Sequence, residues 1–317
     1  MMTMIHRDAG NRRTFLARGG LLVAGGVLAG TPASLMAAEL GALEVASAGS
    51  MAAILNGPIK AAIASALKLD LHAHAQGADA VAKSLVDGSL LADVFIPITA
   101  GPMLSVMRAG KAEVAQPIAR TEMVITYSPK SRFVARFEAA AKGKDDWWKI
   151  LQEPGLRFAR ANPAGDPGGR NIIFTMMLAA KKYGQPDLVE KVLGATPNPE
   201  QVGAGGNTQS KLLSGDLDAS SSYKTGPGPA HLPYVVLPND VNLSGGRVHA
   251  DHPDVSLTID GHTYYPEPLV FYAAVLKDAA NRPGAVAFAE WLKGEAAQSL
   301  FRQSQFDPTG DAAVLRG

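Results

Sequence analysis

Strand, glycine turn and helix follow one another from the start of the folded region. Leu43-Glu44-Val45-Ala46-Ser47 reads as a short buried strand, and Ala48-Gly49-Ser50 as a tight turn. From Met51 to Ala66 the apolar residues Met51, Ile54, Leu55, Ile59 and Ile63 recur at helical spacing, interrupted at Gly57-Pro58. Asp70 to Ala75 alternates as a half-buried strand does, and Gly77-Ala78-Asp79 opens a helix through Leu85. Strands follow at Ala92–Ile96 and Met123–Tyr127. The middle repeats the theme. Leu156–Arg160 is strand-like, and Asp166 is placed to cap a helix with Pro167 at its first position, running to Tyr183 and stopped by Gly184. A glycine-rich loop at 203–207 leads into a helix from Thr208 to Leu213. Strands are expected at Ser220–Tyr223 and Tyr234–Leu237, then the apolar run Glu267–Val275, then helices at Pro283–Lys293 and Glu295–Gln303. Such alternation predicts α/β architecture with largely parallel sheets. Ligands of these sheets bind where strand C-termini meet helix N-termini.

Composition narrows the function. With 47% apolar residues the chain can build real cores. It has no cysteine, which excludes disulfides, thiolate metal sites and a cysteine nucleophile. The formal charge of +1 and 6% aromatic content speak against a nucleic-acid partner. No GxSxG elbow, P-loop or GxGxxG after a strand is present, so no enzyme chemistry is expected.

The N-terminal 38 residues read as an address. Asn11-Arg12-Arg13-Thr14-Phe15-Leu16 precedes a mildly apolar stretch rich in glycine, closed by Met36-Ala37-Ala38. This resembles a twin-arginine export signal, cleaved after Ala37 or Ala38, and implies the periplasm. Five glycines make the stretch a poor membrane anchor. Without residues 1–38 the chain carries 26 basic and 28 acidic residues.

Four turns direct backbone N–H groups outward: Ala48-Gly49-Ser50, Gln76-Gly77-Ala78-Asp79, Asp166-Pro167-Gly168-Gly169 and Gly205-Gly206-Asn207-Thr208. Helix N-termini carry unpaired donors and partial positive charge, so they favour anions, and glycine allows close approach. Taken singly, each turn is also ordinary capping.

Leu43 to Met51, Asn162 to Gly169, Leu212 to Asp218, Tyr223-Lys224 and Leu237 to Leu243 together resemble, in order, the molybdate/tungstate-binding proteins of ABC importers. Asp166-Pro167-Gly168 and Tyr223-Lys224 are the most specific matches. The resemblance implies a two-lobed periplasmic-binding-protein fold of the second type, with mainly parallel central sheets and a hinge. Residues 39–122 plus 263–317 would form lobe one and 123–262 lobe two. It implies a tetrahedral oxyanion, no cofactor, an ABC permease with its ATPase as partner, and a monomer. The ligand would meet the hydroxyl and amide of Ser50, the amides of Ala78, Gly168 and Gly169, Thr208 or Gln209, and the hydroxyl of Tyr223. Ala78 replaces a serine frequent in the family. In the tungstate-type branch two carboxylates can ligate the metal. Here the first would be Asp166 and the second falls at Leu213, which cannot ligate. A tetrahedral anion held by hydrogen bonds is therefore expected, with Asp166 a cap or a direct ligand. Selection against sulfate would rest on cavity size, each overstretched hydrogen bond costing about 1–3 kcal/mol.

Other constellations compete. His72-Ala73-His74 on one strand, and His249, His252 and His262 with Asp251 and Asp254, are zinc-ligand types but read as solvated histidines. Tyr264-Tyr265 resembles the tyrosine pair of ferric-binding proteins and reads as hinge packing; Trp147-Trp148 reads as a half-buried helix face. A sulfate-like anion, ferric ion, an organic acid, and an exported hydrolase remain as alternatives.

Overall fold

A computed structural model describes residues 41–203 and 207–317. The expected export signal and the Gly205-Gly206 part of the fourth turn lie outside them. Twelve strands are assigned among the described residues: β1 (Gly41–Ala48), β2 (Leu69–Gln76), β3 (Val94–Ile96), β4 (Val114–Arg120), β5 (Met123–Tyr127), β6 (Phe158–Ala159), β7 (Ala219–Tyr223), β8 (Tyr234–Val236), β9 (Leu257–Ile259), β10 (His262–Tyr264), β11 (Val270–Val275) and β12 (Leu315–Arg316). They form a six-stranded sheet in the order β12-β4-β11-β3-β1-β2, a four-stranded sheet in the order β6-β7-β5-β8, and the hairpin β9-β10.

The mostly apolar run of β1, broken by Glu44 and Ser47, is explained by its place inside the large sheet. Leu43 and Val45 enter one core with Ile59, Ile63 and Phe288, while Ala46 enters another with Phe95 and Met103. A strand buried on both faces has no need of alternation. β2 lies at the sheet edge and does alternate: Leu69 and Leu71 are buried, Asp70 and His72 are exposed. The helix after β1 bends at the expected place. Leu55–Ile59 forms a π-turn in which Gly57 leaves helical geometry (φ −111°, ψ −107°) ahead of Pro58.

The sheets are mixed rather than mainly parallel. β1 pairs parallel with β2 and β3, and β6 with β7, but β11 pairs antiparallel with β3 and β4, β12 with β4, and β5 with β7 and β8. The reason is the path of the chain. β4 leaves the large sheet toward the small one and β11 returns beside it, with Arg120 opposite Val270 and the Thr121 amide donating to the Leu269 carbonyl at 3.0 Å. A returning strand laid against its outgoing neighbour is antiparallel. These two crossings join the two sheets.

The small sheet has its own core, built on Phe137, Ile150, Ile172, Phe174 and Leu188. Trp147 and Trp148 are buried in it, 6.3 and 5.1 Å from the Tyr183 ring, rather than half-buried. Leu257, Tyr264 and Leu269 pack there too, so the boundary expected at 262/263 falls inside the β9-β10 hairpin. No helix among the described residues is long and apolar enough to cross a membrane.

Candidate functional site between the two sheets

Turns from both sheets meet over one cavity of about 450 Å³. Ala48, Gly49, Ser50 and Ala78 reach it from the large-sheet side, and Asp166, Gly168, Thr208 and Tyr223 from the small-sheet side. Ser50 lies in the single 3-10 turn Gly49–Met51 that follows β1 without a break. Its hydroxyl caps nothing. It is buried and has no hydrogen-bond partner among the described residues. A buried hydroxyl left unpaired is costly, and a ligand acceptor would remove that cost.

Ala78 is the first residue of the helix Ala78–Asp87, whose N-cap, Gly77, makes no side-chain capping bond. Gly77 sits where the two turns approach closely. A Cβ built there would lie 2.6 Å from the Gly165 carbonyl oxygen and 3.3 Å from the Asp166 Cβ. Gly77→Ala is expected to wedge the turns apart and weaken anion binding about fivefold, roughly 1 kcal/mol of overpacking strain felt on closure. The ligand-free melting temperature should stay within a degree or so of the parent's, because an opened protein escapes the clash; calorimetry and thermal melts read the two effects separately.

Asp166 caps the helix Pro167–Tyr183 as its sequence implies, Oδ1 accepting the Gly168 N–H at 2.8 Å. The Gly168 donor expected to meet the anion is thus held by a carboxylate. Burial pushes the Asp166 carboxyl above its ordinary range, and Asp79 acts in the same sense, against the Gly168 hydrogen bond and Arg170. Gly169 does not line the cavity. Its N–H donates to the Asp166 carbonyl at 3.1 Å, and a Cβ there would fall 2.5 Å from the Ala161 carbonyl oxygen and from the Pro163 nitrogen. Its glycine is required by packing against the 161–163 loop.

Thr208 opens the helix Thr208–Ser214 and lines the cavity. Gln209 instead ties the next loop, its Nε2 donating to the Gly226 carbonyl at 2.9 Å. Leu213 is 43% exposed and off the cavity wall, so the second-carboxylate position inferred there is not a site position. Asp166 is the one carboxylate among the described lining residues, and no Lys, Arg or His joins it.

Tyr223 ends β7 with its hydroxyl accepting the Asn171 Nδ2–H at 3.0 Å. Asn171 lies one turn into the Asp166-capped helix, and its role was not read from the sequence. With that lone pair engaged, the phenol's own proton is left for an acceptor on the cavity side. Burial, followed by the nearby Asp166, pushes Tyr223 far above the ordinary tyrosine range, so it acts as a neutral donor. Behind the cavity, Arg170 pairs with Asp79 across the two sheets' elements and sits 4.1 Å over the Tyr264 ring.

The rival constellations fall elsewhere. His72 and His74 share Glu44 on the exposed face of β1 and β2, each 2.7 Å from one of its oxygens. Tyr264, Tyr265, His249 and His262 line a separate cavity of about 760 Å³. There the Tyr264 ring lies 4.4 Å from that of His262, and the Tyr265 ring 4.6 Å from that of His249. Among the described residues no group of three or more histidines, aspartates or glutamates is placed to hold a metal ion.

Comparison with known proteins agrees with this architecture. The family profile described as bacterial extracellular solute-binding protein matches residues 43–307. The chain is 30% identical over 210 residues to the molybdate/tungstate-binding protein WtpA of Pyrococcus abyssi, covering 60% of each chain. It thus spans about 60% of the length of the curated relatives it matches first. The sulfate-binding protein SubI from Mycobacterium tuberculosis H37Rv superposes with a TM-score of 0.57 at 15% identity, covering 86% of this chain and 88% of that one. The periplasmic molybdate-binding protein of Azotobacter vinelandii does so with a TM-score of 0.54 at 19% identity, covering 83% and 98%. At such identities the structural likeness speaks for the fold alone, a two-lobed α/β binding-protein fold.

Proposed function

From the premise that the chain belongs to the bacterial extracellular solute-binding proteins, we propose that it captures a tetrahedral oxyanion, molybdate or tungstate, in the 450 Å³ cavity between its sheets. The observation that carries this reading is the convergence of the Ser50 hydroxyl, the Ala78 and Gly168 turns, Thr208 and the Tyr223 hydroxyl on a wall with no cationic side chain among its described residues. Hydrogen bonds and helix-terminal dipoles suit a dianion whose charge is spread over several oxygens. The naming of the Pyrococcus relative supports molybdate or tungstate over other anions.

The bound anion would stay tetrahedral, with Asp166 acting as cap on the Gly168 N–H and Ser50, Ala78, Thr208 and Tyr223 as the contacting positions. Closure of the lobes about the β4 and β11 crossings would seal the ligand and present a surface to an ABC permease with its ATPase. Lobe one would comprise 39–122 plus 263–317 and lobe two 123–262, with the chain passing between them near the β9-β10 hairpin. Export by the twin-arginine route, residence in the periplasm as a monomer, and the absence of any turnover complete the reading.

Calorimetric titration of the chain lacking residues 1–38 with molybdate, tungstate, sulfate and ferric citrate tests it. Tight binding of molybdate or tungstate is expected, with no heat from sulfate. Silence from both metal oxyanions, or a tighter response to ferric citrate, would remove the ligand assignment.

A further inference from the structure

A smaller chamber of about 210 Å³ adjoins the oxyanion cavity. The two share a wall of Ala161, Thr208, Ser221, Ser222 and Gly226. Arg160 and Thr126 belong to the lining of the small chamber only. Arg160 is 2% exposed. Its Nε donates to the Gln201 Oε1 at 2.9 Å, and its Nη2 to the carbonyls of Ala195 at 3.0 Å and Thr196 at 2.8 Å. All three acceptors are neutral. Burial alone acts on its ionisation, drawing it below the ordinary arginine value with no carboxylate opposing. Its Nη1 is buried without a partner among the described residues, and so is the Thr126 Oγ1.

A guanidinium stays protonated under such conditions, because its intrinsic affinity for the proton is so high. A buried charge is stable only when a counter-charge or a full set of hydrogen bonds compensates it. Arg160 lacks the first and has an incomplete second. Elsewhere in the same lobe the contrast is plain: Arg157 is paired with Asp218, and Arg170 with Asp79. The chamber beside Arg160 is large enough for an ion of a few atoms, and Ser220, Ser221 and Ser222 join Thr126 around it.

We propose that Arg160 and Thr126 form a second anion site that takes a small inorganic anion, chloride or phosphate being the working probes. Arg160 supplies the charge through Nη1, and Thr126 donates its hydroxyl. The site lies next to the oxyanion cavity and shares Thr208 with it on the common wall, but neither Ser50 nor Tyr223. It goes beyond the oxyanion reading and does not depend on it.

Chloride-35 line broadening on the chain lacking residues 1–38, at constant ionic strength set with a bulky organic anion, tests the proposal. The parent protein should broaden the signal saturably, and inorganic phosphate should compete. Arg160→Met should abolish the broadening, and Thr126→Val, close in shape, should weaken chloride binding at least threefold. Tyr223→Phe, which reads only the first cavity, should leave chloride binding unchanged. No saturable broadening by the parent overturns the proposal, as does undiminished broadening by folded Arg160→Met. Should Arg160→Met fail to fold, unchanged chloride affinity in Thr126→Val decides against it.

Discussion

Replacing Tyr223 by phenylalanine is expected to weaken molybdate or tungstate binding about ten- to hundredfold while the protein remains folded. A hydrogen bond from a neutral donor to a charged group contributes about 1.5–3 kcal/mol net, and every 1.4 kcal/mol is about tenfold in affinity. The direction of the bond is set by the structure. Asn171 Nδ2 already donates to the phenol oxygen at 3.0 Å, so the phenol turns its own proton away from Asn171. Deletion also leaves the Asn171 amide without that acceptor, a loss of about 1 kcal/mol of stability. Calorimetry and thermal melts on the same samples separate the two effects. An affinity within twofold of the parent's would show that Tyr223 does not touch the anion. Ser50→Ala carries the matching expectation, smaller because one neutral hydroxyl is lost without stranding a partner.

The second large effect is a gain. Asp166→Asn is expected to raise anion affinity about tenfold at neutral pH, because it removes a negative charge facing a dianion. The cap survives, since the asparagine Oδ1 accepts the Gly168 N–H as the aspartate Oδ1 does. The pH dependence follows from the direction of the shift. Burial holds the Asp166 carboxyl above its usual range in the folded protein. The folded state therefore keeps this proton over a window in which the unfolded chain has lost it. The stability it contributes is full below the unfolded value and is lost as pH rises through the raised one. A bound dianion favours the protonated carboxyl further, so binding takes up a proton. Affinity should fall as pH rises through that titration, by at most about tenfold per pH unit, and Asp166→Asn should flatten the profile. A tenfold loss of affinity in Asp166→Asn would instead mean that the carboxylate ligates the metal, and the tetrahedral reading would be abandoned.

Much of the local structure was legible because it rests on local physics. The Asp166-Pro167 helix start, the Gly184 stop and the bend at Gly57-Pro58 depend on φ preferences and caps within a few residues. The buried character of β1 and the edge alternation of β2 depend on apolar spacing alone. The strand β4 was missed because Pro117 breaks its pattern, and its pairing with β11 is decided by a partner about 150 residues away. The mixed sense of the sheets was missed for the same reason. Strand direction depends on where the chain re-enters, and no short window contains that.

At the candidate site the division is similar. Gly168 and Gly169 are adjacent and chemically identical, yet one lines the cavity and the other is locked against the 161–163 loop. Asn171 carries no motif, and its meaning appears only when β7 brings Tyr223 alongside. Arg160 reads as an ordinary strand residue until its burial without a carboxylate is seen. By itself, then, the sequence determined which turns expose helix N-termini, which segments are apolar enough for the cores, and which chemistries have no residues to perform them. Those properties follow from short-range sterics and composition. Only the tertiary structure decided which donors converge, which are already spent on capping, and where a charge is left uncompensated. Convergence and desolvation are properties of groups far apart in the chain, and packing alone brings them together.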